Sequence, residues 1–314
     1  MKSFYLLLAL IFLALTSLHA QNDTVQQDTI TVNKHTSDTT KSVKEFISHQ
    51  TDALIGSVFG PSKQLSNADS IVNKFDSQPS FGIYKDNYFV LGTEMFHKPT
   101  KYNSDVKFQI SVMHRITNST LPLKTYLFLT YTQKAYWDVF QDSFPFRDLN
   151  FNPTLGLGKA LVRNNRFLGT INMQFEHESN GKDGDASRSW NKISFGSYLT
   201  LNDRMTFQTK LWIPIVDGSN NKDIVHYSGW GLFAFDYSSA KRKYNIGAVV
   251  TKRGGANLSA NIELNFSIRL FSDDNQYLFL QYYNGYGESM LDYKQYRQRI
   301  RLGFVIKPNF FTIY

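Results

Sequence analysis

The 314-residue chain contains no cysteine. That excludes disulfide staples and thiolate metal ligands, and it excludes lipid attachment through a thioether near the head of the chain. Past the first twenty residues there is no run of eighteen apolar residues, so no helix there can span a bilayer. The formal net charge is +8, yet no basic run carries it. This argues against nucleic acid and for an anionic lipid surface as the partner. What the chain does have is aromatic weight. Its 18 Tyr and 26 Phe suit girdles at a membrane interface.

Residues 1–20, "MKSFYLLLALIFLALTSLHA", read as a secretion signal: one Lys, a long apolar run, then the small-residue exit Leu18-His19-Ala20. Residues 21–79 are polar and aperiodic, and read as a mostly flexible extension with one possible short helix in "VKEFISHQTDALIGSVFG". From residue 80 to 314 the pattern is period two. The clearest row is Leu258, Ala260, Ile262, Leu264, Phe266, Ile268 and Leu270, with polar residues between. Such segments number about twelve, with strands of about ten residues. They start near 83, 105, 123, 149, 166, 189, 204, 226, 242, 257, 276 and 297.

Their connections alternate between tight ("VRNNR", "LNDR") and long (near 139–148, 180–188, 216–225 and 286–296). The predicted fold is therefore all-β, a twelve-stranded antiparallel transmembrane barrel. Closure lets every strand satisfy its backbone within lipid, which an open sheet cannot do. The aromatic ending "PNFFTIY" is of the kind outer-membrane strands carry. A soluble sandwich would hide its apolar rows in one core and would not need strands so uniformly long.

One row ends against the rule. In "INMQFEHESNG", Ile171, Met173 and Phe175 are followed on the same face by His177 and Ser179. In the next strand Asn191 shares parity with Ile193 and Phe195, so a hairpin can set it beside His177 on the lipid-facing surface. Polar groups left unpaired there cost several kcal/mol each, on the order of apolar transfer estimates. Together they satisfy one another in the pattern of acyl transfer: Ser179 nucleophile, His177 base, and Asn191 orienter in place of the usual carboxylate. A neutral orienter suits a low-dielectric rim. The other six histidines read as structural.

The block "HESNGKDGDASRSWN" (177–191) resembles the active-site motif of the outer-membrane phospholipase A family, whose His-x-Ser-Asn-Gly and Ser-Arg-Ser-Trp-Asn blocks stand at this spacing. The resemblance extends to "YTQKAYW" (131–137), "SFPFRDLNFNP" (143–153) and "GYGESMLDY" (285–293). It implies a calcium-dependent phospholipase A1/A2, acting also on lysophospholipids, in the bacterial outer membrane. It implies further that the Gly181 N–H serves the oxyanion. Calcium would be held by the Ser187 side chain, the Lys182 carbonyl and the carbonyl of Ser143 of the partner subunit. All three ligands are hard oxygens, as calcium requires.

There are departures. Lys182 replaces Arg, Glu178 replaces Asp on the inner face, and Gly184 stands where some members are acidic, which puts a second calcium site in doubt. Gln133 follows Leu127, Leu129 and Tyr131 on the lipid-facing row. Either it meets a second Gln across a two-fold homodimer interface, as in the family, or it snorkels at the girdle. Two other functions compete with this reading. A passive pore or structural barrel would have no use for the trio. An esterase or protease acting on soluble substrates would open its site toward loops or lumen.

Overall fold

The computed structural model describes residues 68–163, 166–255, 258–271, 275–308 and 313–314. The secretion signal and the helix expected within 43–60 lie outside these residues. Two short segments, β1 (Phe81–Ile83) and β2 (Asn87–Glu94), lead into β3 (Ser104–Arg115), β4 (Tyr126–Trp137), β5 (Phe146–Arg163) and β6 (Arg166–Ser179). Then come β7 (Ser189–Asn202), β8 (Met205–Ile215), β9 (Gly231–Ser238), β10 (Tyr244–Lys252), β11 (Ala260–Arg269), β12 (Gln276–Gly285) and β13 (Arg297–Ile306).

Both β1 and β2 pair with β3, at Ile83↔Val112 and Tyr88↔Gln109, so they form one strand interrupted at residues 84–86. Each later strand pairs antiparallel with the next, and β13 returns to β2 at Leu302↔Leu91. The sheet is a closed barrel of twelve strands, as the alternation predicts. No edge remains to be satisfied within the hydrocarbon.

Side chains sort by parity. On β6 the outward Ile171, Met173 and Phe175 are 41%, 47% and 52% exposed, while the inward Gln174 and Glu176 are 3% and 1%. Much of the interior is charged and internally paired. Asp105 accepts from Arg147 at 2.8 Å and from Arg301 at 2.9 Å, and it also bonds Arg299. Glu288, from the loop between β12 and β13, enters the bore against Arg301 and Lys107. A buried charge without a partner would cost several kcal/mol, on the order of ion-desolvation estimates, which is why these charges come in opposed sets. A cavity of about 210 Å³ in the bore is lined by Lys85, Lys107, Glu176, Lys192 and Lys210. Its polar lining and size give room for a cluster of waters.

Three local features depart from the sequence pattern. Helix α1 (Ala68–Asp76) lies at the short-turn end, within the stretch read as flexible. Its orphan C-terminal carbonyls have a partner far along the chain: Arg115 donates to the carbonyls of Phe75, Asp76 and Gln78. Asp76 in turn accepts from Ser119 N and Oγ. The eighth barrel strand, β9, begins at Gly231 rather than near 226. The turn α2 (Ile224–Ser228) precedes it, with Ile224 packed on Trp190, Met290 and Tyr293.

Finally, the last strand stops at Ile306, and Phe310 and Phe311 of the aromatic ending lie outside the described residues. Lys307 turns inward to Asp86 at 2.6 Å, and Pro308 follows with no N–H to continue a ladder. Tyr314 donates from Oη to Asp236 at 2.6 Å inside the bore.

Candidate active site

Strands β6 and β7 place His177 directly opposite Asn191 and Ser179 opposite Ser189. His177, Ser179 and Asn191 are all half-buried on the outer face, in line with Phe175. The neighbouring β5 is shaped to suit. Pro153, which has no N–H, interrupts the β5–β6 ladder between Thr154↔Glu176 and Phe151↔Ser179. There Asn152 Nδ2 donates to the His177 carbonyl at 2.9 Å instead.

His177 Nδ1 lies 2.9 Å from Asn191 Oδ1. A carbonyl oxygen can only accept, so Nδ1 carries the proton and Nε2 is left as the base. Two of the three expected members are thus bonded. Ser179 shares their face, and among the described residues its Oγ makes no hydrogen bond, to His177 or to any other group.

Sequence reasoning missed a fourth side chain. Asn191 Nδ2 donates to Asp217 Oδ2 at 2.8 Å, and Ser189 Oγ donates to Asp217 Oδ1 at 3.3 Å. Asp217 is exposed in the long loop after β8. The signal that singles out His177 also marks this residue: Ile213 and Ile215 form an outward apolar row, and Asp217 is the next member.

The β6–β7 loop is organised by Asn180, which is 2% exposed. Its Oδ1 accepts from Arg188 N at 2.9 Å and Lys182 N at 3.4 Å, and its Nδ2 donates to Ala186 O at 2.9 Å. Gly181 adopts φ +63°, and a Cβ there would sit 2.8 Å from the Phe151 ring. Glycine is thus required on both counts. Its N–H donates to no acceptor among the described residues. Lys182 anchors the loop to β5 through Nζ to the Arg147 carbonyl at 2.6 Å. Ser187 closes the short turn Gly184–Ala186 that Asp183 caps.

Among the described residues no cluster of three His, Cys, Asp or Glu side chains could hold a metal. A cation here would rest on hydroxyl and carbonyl oxygens, which is the donor set Lys182 and Ser187 offer.

The other two predicted residues lie elsewhere. Ser143 is exposed at φ +66° in the turn between β4 and β5, followed by Phe144 at φ +47°. Gln133 is half-buried on the outward row of β4, between Ile110 and Phe151, and its Oε1 accepts from Tyr131 Oη at 3.1 Å.

Behind the trio, the inner face is a closed set. Glu176 pairs with Lys210 at 2.7 Å and accepts from Ser194 Oγ. Glu178 accepts from Lys192 at 2.7 Å and from Trp190 Nε1 at 3.0 Å. The Asp-to-Glu departure at 178 therefore sits in a structural ion pair.

The geometry has counterparts among known proteins. The phospholipase A1 family model matches residues 80–306. The chain is 28% identical over 273 residues to phospholipase A1 of Proteus vulgaris, spanning 83% of this chain and 90% of the relative. It is 31% identical over 218 residues to that of Escherichia coli K12, spanning 66% and 71%. The Salmonella typhi outer membrane phospholipase, solved as a dimer with bound calcium, superposes with a TM-score of 0.65 at 25% identity, covering 74% of this chain and 94% of that one. Outer membrane phospholipase A of Escherichia coli gives 0.64 at 25%, covering 73% and 99%. A closed twelve-stranded barrel, a match across nearly all of it and these relatives lead to one assignment: this chain belongs to the phospholipase A1 family and is an integral β-barrel enzyme of the outer membrane.

Proposed function

We propose that this phospholipase cleaves the sn-1 or sn-2 acyl esters of phospholipids, and of lysophospholipids, in the outer leaflet through an acyl-Ser179 intermediate. The observation that carries the reading is the His177–Asn191 bond on a lipid-facing surface, with Ser179 on the same row. Ser179 Oγ attacks the ester carbonyl while its proton passes to His177 Nε2. The Gly181 N–H faces the oxyanion of the tetrahedral intermediate. His177 then returns the proton to the departing glycerol oxygen and activates the water that frees the fatty acid. Asn191 keeps the ring in register throughout.

Calcium fits the residues present. Ser187 Oγ, the Lys182 carbonyl and the carbonyl of Ser143 of the partner subunit would hold it, and replacing Arg by Lys at 182 leaves the carbonyl unchanged. When bound, the ion supplies positive field near the oxyanion, which a neutral triad lacks. Support comes from the calcium-bound dimer of the Salmonella typhi relative. Because each subunit would complete the other's site, activity requires a homodimer, with Gln133 at its interface.

The test is hydrolysis of phosphatidylcholine in mixed micelles by refolded protein, with calcium or with chelator. Ser179→Ala should lose about a thousandfold or more in rate. Hydrolysis that persists in Ser179→Ala removes the nucleophile. Insensitivity to chelator removes the metal, and full activity as a monomer removes the shared site.

A further inference from the structure

An asparagine in the orienting position has a weakness that a carboxylate lacks. Its amide can turn over, exchanging acceptor for donor. With Oδ1 toward His177, the ring keeps its proton on Nδ1 and offers Nε2 as a base. With Nδ2 toward His177, the proton must move to Nε2, and the ring can no longer take one from Ser179. The two orientations have nearly the same shape, so packing alone discriminates poorly between them.

The outer rim holds a group that does discriminate. An ionised carboxylate only accepts, so Asp217 takes the Nδ2 end of Asn191 at 2.8 Å and leaves Oδ1 facing Nδ1 of His177 at 2.9 Å. We infer that Asp217 is a positioning residue that sets the amide of Asn191 and, through it, the tautomer of His177. This rests on the reading of His177, Ser179 and Asn191 as the triad.

The position of Asp217 is built into the loop. Asn221, fully buried, accepts from Ser189 N at 3.2 Å and donates to Ser189 O at 2.8 Å, which fastens the loop to β7. At Gly218, next to Asp217, a Cβ would lie 2.1 Å from Asn221 Oδ1 and 2.7 Å from Ser189 O, so the loop seats this close only with glycine there. Ser189 Oγ donates to the other carboxylate oxygen. Among the described residues Asp217 makes no ion pair, so its charge is engaged only by Asn191 and Ser189. Its exposure to water explains how a carboxylate can serve a site at the edge of hydrocarbon: the charge stays solvated while the neutral amide reaches inward.

The test uses the full chain, labelled with ¹⁵N-histidine and refolded in detergent micelles. In the native protein the His177 signals should be those of the Nδ1–H form, and Asp217→Asn, which can bond either end of the amide, should mix in the Nε2–H form. Phospholipid hydrolysis by Asp217→Asn should fall about tenfold in kcat, with KM within about twofold.

A carboxylate at 191 has no wrong way round, so in an Asn191→Asp background the Asp217→Asn change should not lower kcat further. An unmixed Nδ1–H signal with unchanged kcat in Asp217→Asn overturns the inference. An equal loss in the Asn191→Asp background also overturns it, because the residue would then be merely structural. Native protein that fails to hydrolyse phospholipid counts against the triad instead, and the tautomer signal still decides what Asp217 does.

Discussion

On the inner face of β6 and β7, Glu176, Glu178, Lys192 and Ser194 bond within a tight set that also draws in Lys210 and Trp190. On the outer face of the same two strands, His177 and Asn191 share one bond, and the Ser179 hydroxyl makes none among the described residues. Both faces are polar and a single strand thickness separates them. The inner groups have saturated one another, as buried charges must, and hold the hairpin rigid. The outer groups stand among apolar side chains with a base and a hydroxyl still unspent. Saturation marks structure here, and residual capacity on the lipid side of the wall is what the proposed chemistry draws on.

Substitution can break that contrast. Glu176→Ala should cost the most, about 3 kcal/mol or more, because it leaves Lys210 and part of Lys192 without a counter-charge. Urea unfolding in lipid vesicles, followed by Trp190 and Trp212 fluorescence, should show an earlier midpoint. Ser179→Ala on the outer face should leave that midpoint in place, and a shift as large as that of Glu176→Ala would erase the distinction.

A second effect appears only in acid. Burial alone would raise the Glu288 carboxyl, but Arg301 and Lys107 bring it down from 4.5 to about 2. A depressed carboxyl stabilises the fold fully above its unfolded value and loses that contribution as pH falls from 4.5 to about 2. Glu288→Gln should flatten the stability profile in that window, and an unchanged slope would remove Glu288 from the interior network.

The smallest effect concerns Gln133. Replacing it with Leu should leave the single barrel intact and weaken pairing by about 0.6 kcal/mol, under about threefold in the dimer constant. Sedimentation in detergent would read this, and unchanged dimerisation would return Gln133 to a girdle residue bonded only to Tyr131.

The barrel was legible in the sequence because alternation is a local signal. Each strand declares its own faces, and parity alone set His177, Ser179 and Asn191 outside. What escaped notice depends on partners distant in the chain. Arg115 secures helix α1 from forty residues away, and nothing in residues 68–79 announces it. The helical turn at Ile224 exists because Trp190, Met290 and Tyr293 cover it. Asp217 lies between these cases. Its parity was readable after Ile213 and Ile215, but its distance from Asn191 depends on Asn221 and Gly218 folding the loop back. The Lys307 turn was hidden for the same reason, since its partner Asp86 stands 221 residues earlier in the chain, beside the strand that closes the barrel against β13.

The outward aim of His177 and Ser179 has a kinetic corollary. A site that opens sideways meets its substrate in two dimensions, so turnover follows the mole fraction of lipid at the interface and not its bulk concentration. With a two-chain phospholipid, both cleavage products are themselves amphiphiles and are shed into the same sheet, where they dilute the substrate until they diffuse away.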